Sequence, residues 1–534
     1  MSGAASVGRP APVVPRAIEF PAILLYVLLA AASAAVCSQI NVFLGITPNT
    51  AVVGVLVAMA LGRTILPAFG SAERQVMIET ATSAGGFAGA NIALVSIAAL
   101  YLVHLERLLL PLLAGISLGM VIDIWLAYRL FGTRAFPADA AWPDGEAVGR
   151  VIQAGDEGGT LARQLLQGIG VGIVGRAVSL PMAGVGIAFI GNAAALSALA
   201  VGLLVRAYAP AIAGYDFSGS YLPHGLMIGA GLVQVSQTAW LFWRTRSASS
   251  AEPRAGKAGA VRARVEQAPG AAGGGPRSGE LVLHFGAFVA AAALVSVLAG
   301  LWTGVPGSRA LLWIGFAGLA ALIHTIIVGY CAMLSGWFPS FAVAIALILV
   351  GALLRFPLEA LVLLAGFVLS TGPQFADLGF DLKSGWIIRG RGVDPVHEAA
   401  GRRQQVWLQE IGALVGIVTA TLAFTAYWKL GLVPPMSRVV EATIKLAVTG
   451  NLGSQLLVGA VLGAAAQTAG GARRALGILL ATGLLLDNAI YGWALAVALF
   501  VRWRVGTARM AVRAPGLIAG DGLAGFALAI ARAF

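Results

Sequence analysis

The sequence predicts an all-α, polytopic membrane protein of about 16 transmembrane or half-membrane helices in two related halves. Three observations lead there. Hydrophobic residues make up 59% of the 534 and charged residues only 11%, where a soluble domain carries about 25% charge. Mean hydropathy is +0.87. Apolar runs near the ~20 residues needed to cross a bilayer recur along the whole chain.

The runs of the first half are Phe20–Gly45, Asn49–Phe69, Val76–Val103, Leu108–Phe131, Leu161–Ile190, Ala193–Ala213 and Leu222–Trp243. Those of the second are Leu281–Leu301, Leu311–Leu334, Phe338–Phe356, Leu358–Thr371, Val406–Trp428, Val439–Gln467, Leu476–Phe500 and Leu517–Ile530. Thr449–Gly453 (Thr-Gly-Asn-Leu-Gly) is expected to break the run that contains it. Leu358–Thr371 and Leu517–Ile530 are short enough to be re-entrant or half-membrane helices. Arg9 and Arg16 before the first run could mimic a signal peptide, but the many later runs favour an uncleaved first span.

Residues 1–19 form an N-terminal tail, 20–243 the first transmembrane half, 244–280 a linker and 281–534 the second half. The linker is rich in Gly, Ala, Pro and Ser and carries seven basic residues against three glutamates. It lacks the apolar area to fold alone, and its positive charge places it in the cytoplasm, with the N-terminus on the same side. The same rule accounts for the net charge of +12, whose basic residues gather in loops such as Lys383–Arg403 and Arg502–Arg513, without invoking nucleic acid. Only four of the 35 basic residues are lysine, which with heavy Ala and Gly usage suggests a bacterial genome rich in G and C, and hence a cytoplasmic (inner) membrane. A faint repeat links the halves: Tyr-Leu-Pro-His-Gly-Leu-Met-Ile-Gly-Ala at 221–230 aligns with Asn-Leu-Gly-Ser-Gln-Leu-Leu-Val-Gly-Ala at 451–460.

Two segments could carry chemistry. In Thr-Ala-Thr-Ser-Ala-Gly-Gly-Phe-Ala-Gly-Ala-Asn at 80–91, small residues could simply let helices approach closely. Alternatively, Gly85-Gly86 unwinds the backbone so that carbonyls and the hydroxyls of Thr80, Thr82 and Ser83 face a cavity beside the costly carboxyl of Glu79. In Tyr-Asp-Phe-Ser-Gly-Ser-Tyr-Leu-Pro-His-Gly at 215–225, Pro223 opens a helix whose free amides could meet a carboxylate or other anion, or the segment merely caps a span. Ser220, Tyr221 and His224 are its candidate ligand groups. Asp487 lies in mid-run and Glu410 one turn into its run, so both join Glu79 as candidates for carrying a proton.

Three enzyme signatures are absent: His-Glu-x-x-His, the P-loop and Cys-x-x-Cys. The five scattered histidines and the two cysteines, Cys37 and Cys331, give no metal-ligand spacing, so no metal site or cofactor is expected. A transport step would therefore draw on an ion gradient. The rivals are a membrane-embedded enzyme, such as a lipid-linked transferase or protease, and a passive channel.

Four segments in order resemble the oligopeptide transporter superfamily, which includes the yellow-stripe-like metal-chelate carriers. They are Ile-Glu-Thr-Ala-Thr-Ser-Ala-Gly-Gly at 78–86, Trp-Pro-Asp-Gly-Glu-Ala-Val-Gly-Arg-Val-Ile-Gln-Ala-Gly at 142–155, Tyr221–Gly231, and Asp-Leu-Lys-Ser-Gly at 381–385 with Pro395, Gln404, Gln405 and Gly412 downstream. The resemblance implies a proton-coupled importer of small peptides or peptide-like metal chelates with both termini cytoplasmic. The expected site sets Glu79, Thr80, Ser83, Gly85 and Gly86 against Ser220, Tyr221 and His224 across one shared cavity. The membership of Asp381 and Lys383 is implied by the resemblance alone.

Overall fold

A computed structural model of the chain describes residues 14–45, 69–154, 160–217, 220–249, 278–304, 306–335, 339–449, 454–471, 474–507, 510 and 512–533. The expected crossing at Asn49–Phe69, the core of the linker and the break before Gly453 fall almost entirely outside those residues. Among the described residues the secondary structure is helical, with a single isolated bridge between Phe131 and Phe136. Nine helical stretches there are long and apolar enough to cross a membrane.

The first half runs α1 (Ala22–Leu44), α2 (Ala72–Gly86), α3 (Leu94–Leu102), α4 (Leu109–Leu130), α5 (Pro143–Ala154), α6 (Thr160–Ala177), α7 (Met182–Ile190), α8 (Ala193–Ala213) and α9 (Leu222–Ser249). The second runs α10 (Ser278–Leu298), α11 (Gly307–Ser335), α12 (Ser340–Leu353), α13 (Leu358–Leu369), α14 (Pro373–Ile388), α15 (Pro395–Lys429), α16 (Pro435–Thr449), α17 (Ser454–Gly470), α18 (Leu476–Leu485), α19 (Ala489–Val505) and α20 (Arg513–Ala533).

Several apolar runs divide differently from expectation. The run 161–190 is two helices, α6 and α7, parted at Val178–Pro181. Leu517–Ile530, expected to be a half-membrane helix, belongs to a full-length helix, because α20 extends back to Arg513 and on to Ala533. The run 476–500 parts at Leu486–Asn488, where the Asn488 side chain caps α19 by accepting from the Tyr491 amide. Asp487 therefore sits in an exposed turn rather than in mid-helix. The stretch Lys383–Arg403 is not a basic loop. α14 continues to Ile388, and after a short turn Asp394 caps α15 through the amides of Val396 and His397.

Several of the chain's 70 glycines sit at helix crossings. A Cβ at Gly412 or Gly416 on α15 would run into the carbonyls of Ala81 and Gly85 on α2. On the other side of α2, a Cβ at Gly85 would meet the Ala30 carbonyl of α1. Close approach of this kind is the usual role of small residues four apart on membrane helices. It also explains why the expected unwinding at Gly85-Gly86 does not occur. The helix stays continuous from Ala72 to Leu102, loosening only to a π-helical turn over Phe87–Ala93. There Asn41 of α1 donates to the Ala90 carbonyl at 3.0 Å and to Asn91 Oδ1 at 3.1 Å, steadying the widened turn.

The two segments of the faint repeat lie on helices in direct contact. Gly225 of α9 packs on Leu456 of α17 and Gly229 packs on Ala460, so the two helices run in the same direction with matched register.

The interruption that does exist lies between α13 and α14, at Ser370–Gly372. Gly372 adopts φ 79°, a left-handed conformation that a Cβ would strain, and its Cα faces His324 and Val328 closely. Asp123 of α4 accepts from the Phe375 amide at 2.7 Å and from Thr325 Oγ1 at 2.5 Å, which caps the new helix from a neighbouring one. His324 lies 2.9 Å from the Ser340 carbonyl and 3.3 Å from Thr371 Oγ1, holding the other edge of the break.

Gly416→Ala is expected to lower thermal stability by about 1–3 kcal/mol through overpacking at the α2–α15 crossing. Gly170→Ala is the control, since a Cβ there meets nothing within 4 Å. Equal melting temperatures for both variants would remove the close-approach account.

Candidate functional site: a buried carboxyl cluster

Three helices bring polar pairs spaced four residues apart onto facing sides: Glu79 and Ser83 on α2, Asp377 and Asp381 on α14, and Gln405 and Gln409 on α15. That spacing stacks each pair on one helical face. All six side chains are at most 1% exposed, in a core that is otherwise largely apolar. α14 adds Gln374 and Ser384 to the same stripe.

The contacts are dense. Ser83 Oγ lies 2.9 Å from Asp381 Oδ2 and 3.2 Å from Asp377 Oδ2. Ser384 Oγ donates to Glu79 Oε2 at 3.0 Å. Gln409 Nε2 donates to Asp377 Oδ2 and to Gln374 Oε1, each at 2.8 Å. Gln405 Nε2 donates to the Asp381 carbonyl at 2.6 Å and to Thr80 Oγ1 at 3.2 Å. Glu79 and Asp381 also lie within hydrogen-bonding reach of each other.

The cluster has fewer hydroxyl protons than its carboxyl contacts need. A serine hydroxyl has one proton to donate. Ser83 can satisfy only one of its two carboxylate neighbours, so the other contact becomes a hydrogen bond only when that carboxyl carries a proton. The Glu79–Asp381 approach likewise needs a proton between the two oxygens. Neither cation at hand neutralises the group. Lys383 donates to the carbonyls of Ala138 and Ala140 at 3.0 and 2.9 Å, and Arg389 is committed to Glu398 at 2.8 Å. Three ionised carboxylates in so dry a site would be prohibitively costly. Protons fit the cluster, and the donor set present forms no metal-binding group among the described residues.

A second network closes one end of the cluster. Arg389, its side chain fully buried, bridges Glu398 and the Gln405 side-chain oxygen, which it reaches at 2.9 Å. Glu398 also holds Arg402 at 2.6 Å, and Glu73 takes His397 at 3.1 Å. Gln405 thus links the ion pairs at the ends of α2, α14 and α15 directly to Asp381 and Thr80.

The segments Trp142–Gly155 and Asp381–Gly385 pack on each other. Trp142 covers Gly379, and Lys383 lies 3.5 Å from Glu146 and stacks over Trp386. Lys383 therefore ties α5 to α14 instead of lining the cluster. Asp144, half-buried at the start of α5, is within electrostatic reach of Asp377, and desolvation pushes its carboxyl up to about 6.

Of the residues expected at the site, Glu79, Thr80 and Ser83 belong to this cluster, while Gly85 and Gly86 shape the helix contacts beside it. Ser220, Tyr221 and His224 lie elsewhere, at a cavity of about 240 Å³ that none of the cluster residues lines. The one shared cavity is not formed, because α14 and α15 fill the space opposite Glu79. Ser220 is occupied in capping α9: its Oγ accepts from the Leu222 amide at 3.1 Å and meets Tyr215 Oη at 2.6 Å. Glu410 is buried on α15 beside Gln409 and makes no hydrogen bond or ion pair among the described residues. Asp487 is exposed in its turn.

Asp377, Gln374 and Gln409 escaped the sequence reading, and Asp381 entered it only through the resemblance. The available signal was the stripe Gln374–Asp377–Asp381–Ser384, spaced three, four and three apart, together with Gln405 and Gln409 four apart.

The elevated Asp144 carboxyl fixes the sign of a pH effect. The folded chain holds this proton more tightly than the unfolded chain, so stability falls as pH rises from about 4 through about 6 and then levels. Asp144→Asn removes that loss, so its melting temperature relative to wild type should rise across this window and stay constant above it. Parallel curves would contradict the assignment.

No family model matches the chain, and no curated protein is significantly similar to it.

Proposed function

We propose that the chain is a secondary active transporter of a bacterial cytoplasmic membrane, importing small peptides or peptide-like metal chelates with protons by alternating access. The observation that carries this reading is the cluster of Glu79, Asp377 and Asp381 around Ser83, a buried group that must take up protons to be neutral. A carboxyl at membrane depth with no paired cation is expensive and is by default a functional site.

The placing of the cluster supports the same reading. It lies beside the broken helix α13–α14, the type of element around which transporters build their central sites. The Arg389–Glu398 network serves as a closed gate at one end, joined through Gln405 to the Asp381 carbonyl and Thr80. Deprotonation of the cluster would leave carboxylates repelling one another across the α2–α14 contact. That repulsion favours separating the helices and hydrating the site, while reprotonation favours closing it. Proton loading and helix packing are thereby one equilibrium.

Glu79→Gln and Asp381→Asn each replace a carboxyl by a neutral amide of similar shape. In proteoliposomes holding the purified protein, both are expected to lose uptake against a concentration gradient driven by a pH gradient, by at least about tenfold. Exchange of labelled for unlabelled substrate at equal pH should be retained. Full retention of proton-driven uptake in both variants would remove these carboxyls as the coupling groups, and product formation from the substrate would favour a membrane enzyme.

A further inference from the structure

The cavity of about 240 Å³ bounded by α8, α9, α16, α18 and the turn before α9 contains none of the coupling carboxyls. Its charges do not cancel. Arg206 is paired with Asp216 at 3.3 Å, and Lys445 with Glu441 at 2.5 Å. Arg438, on the same wall of α16, has no hydrogen bond or ion pair among the described residues. Across from it, His224 is within its electrostatic reach, and the Nδ1 atom of that ring is shielded from solvent and unpartnered. Phe217, Leu484 and Leu485 supply an apolar wall.

We infer that this cavity binds an oxyanion: the carboxylate or phosphate of a small molecule or lipid headgroup whose short apolar part lies against Phe217 and Leu484. With Arg206 and Lys445 matched by Asp216 and Glu441, one positive charge is left over, and the guanidinium of Arg438 that carries it offers the planar, two-pronged donor that carboxylate and phosphate oxygens accept best. His224 Nδ1 takes the second contact, directly when protonated or through a donor on the ligand. The cavity lies at the start of α9, the end away from residues 244–280, so it would open on the face of the membrane opposite the basic linker. This inference concerns recognition and does not depend on proton coupling.

The test is binding to the full-length protein in uncharged detergent, by calorimetry, with trialanine and with trialanine amide, which has the same body without the carboxylate. A parallel arm compares melting in nanodiscs of phosphatidylcholine with and without phosphatidylglycerol. Arg438 is exposed, so Arg438→Gln should fold, as its melting curve would verify. Selective binding of trialanine, weakened at least about tenfold in Arg438→Gln and less in Arg438→Lys, supports the site and assigns it to a soluble carboxylate. Stabilisation by phosphatidylglycerol that Arg438→Gln abolishes supports the site and assigns it to a headgroup. Binding unchanged by Arg438→Gln, or no response to either anion, overturns it. Neither failure touches the coupling carboxyls, which are tested by uptake.

Discussion

A single serine proton sets the terms for the centre of this molecule. Ser83 stands between Asp377 and Asp381 and can donate to only one of them, while Glu79 approaches Asp381 from the same helix as the serine. Among the described residues no lysine or arginine contacts them, so the carboxyls can share so dry a space only by holding protons. Much of the surrounding architecture follows from that requirement. α2, α14 and α15 must lie close enough for serine and glutamine side chains to bridge them, and glycine at 85, 412 and 416 permits the approach. The interruption before α14 must be stabilised from outside, which Asp123 and His324 accomplish.

The same contacts connect electrostatics to shape. Gln405 has one side-chain oxygen and one amide nitrogen, and each is committed: the oxygen to Arg389, the nitrogen to the Asp381 carbonyl and Thr80. A change in the separation of α2 and α14 must therefore be felt by the buried Arg389–Glu398 pair, which is costly to break one partner at a time. An ion-pair network and a carboxyl cluster that share a side chain cannot move independently. In the proposed transport cycle, that coupling is what would tie proton loading to helix movement.

Membrane character was plain in the sequence because composition and run length report directly on the solvent. Helix ends were harder to place. The Asp487 position looked like mid-helix since apolar residues flank it on both sides, yet Asn488 can cap a helix and does. The segment from Lys383 to Arg403 looked like a loop because charge usually marks water, but Lys383 and Arg389 are buried against carbonyls and carboxylates of other helices, partners that no local pattern discloses. Glycine was the most ambiguous letter. At 85 and 86 it allowed close packing, whereas at 372 it allowed a left-handed turn, and nothing within a few residues distinguishes the two uses. Glu79 and Ser83 were legible as costly polar residues in an apolar run. Their partners were not, since Asp377 lies nearly three hundred residues away in sequence.

Infrared spectroscopy of the purified protein at neutral pH addresses the centre of this account most directly. Protonated carboxyl groups absorb apart from carboxylates and amides. A protonated-carboxyl band that shrinks in Asp381→Asn and in Glu79→Gln is the predicted result. A spectrum in which every buried carboxyl is ionised, unchanged by either substitution, would contradict it.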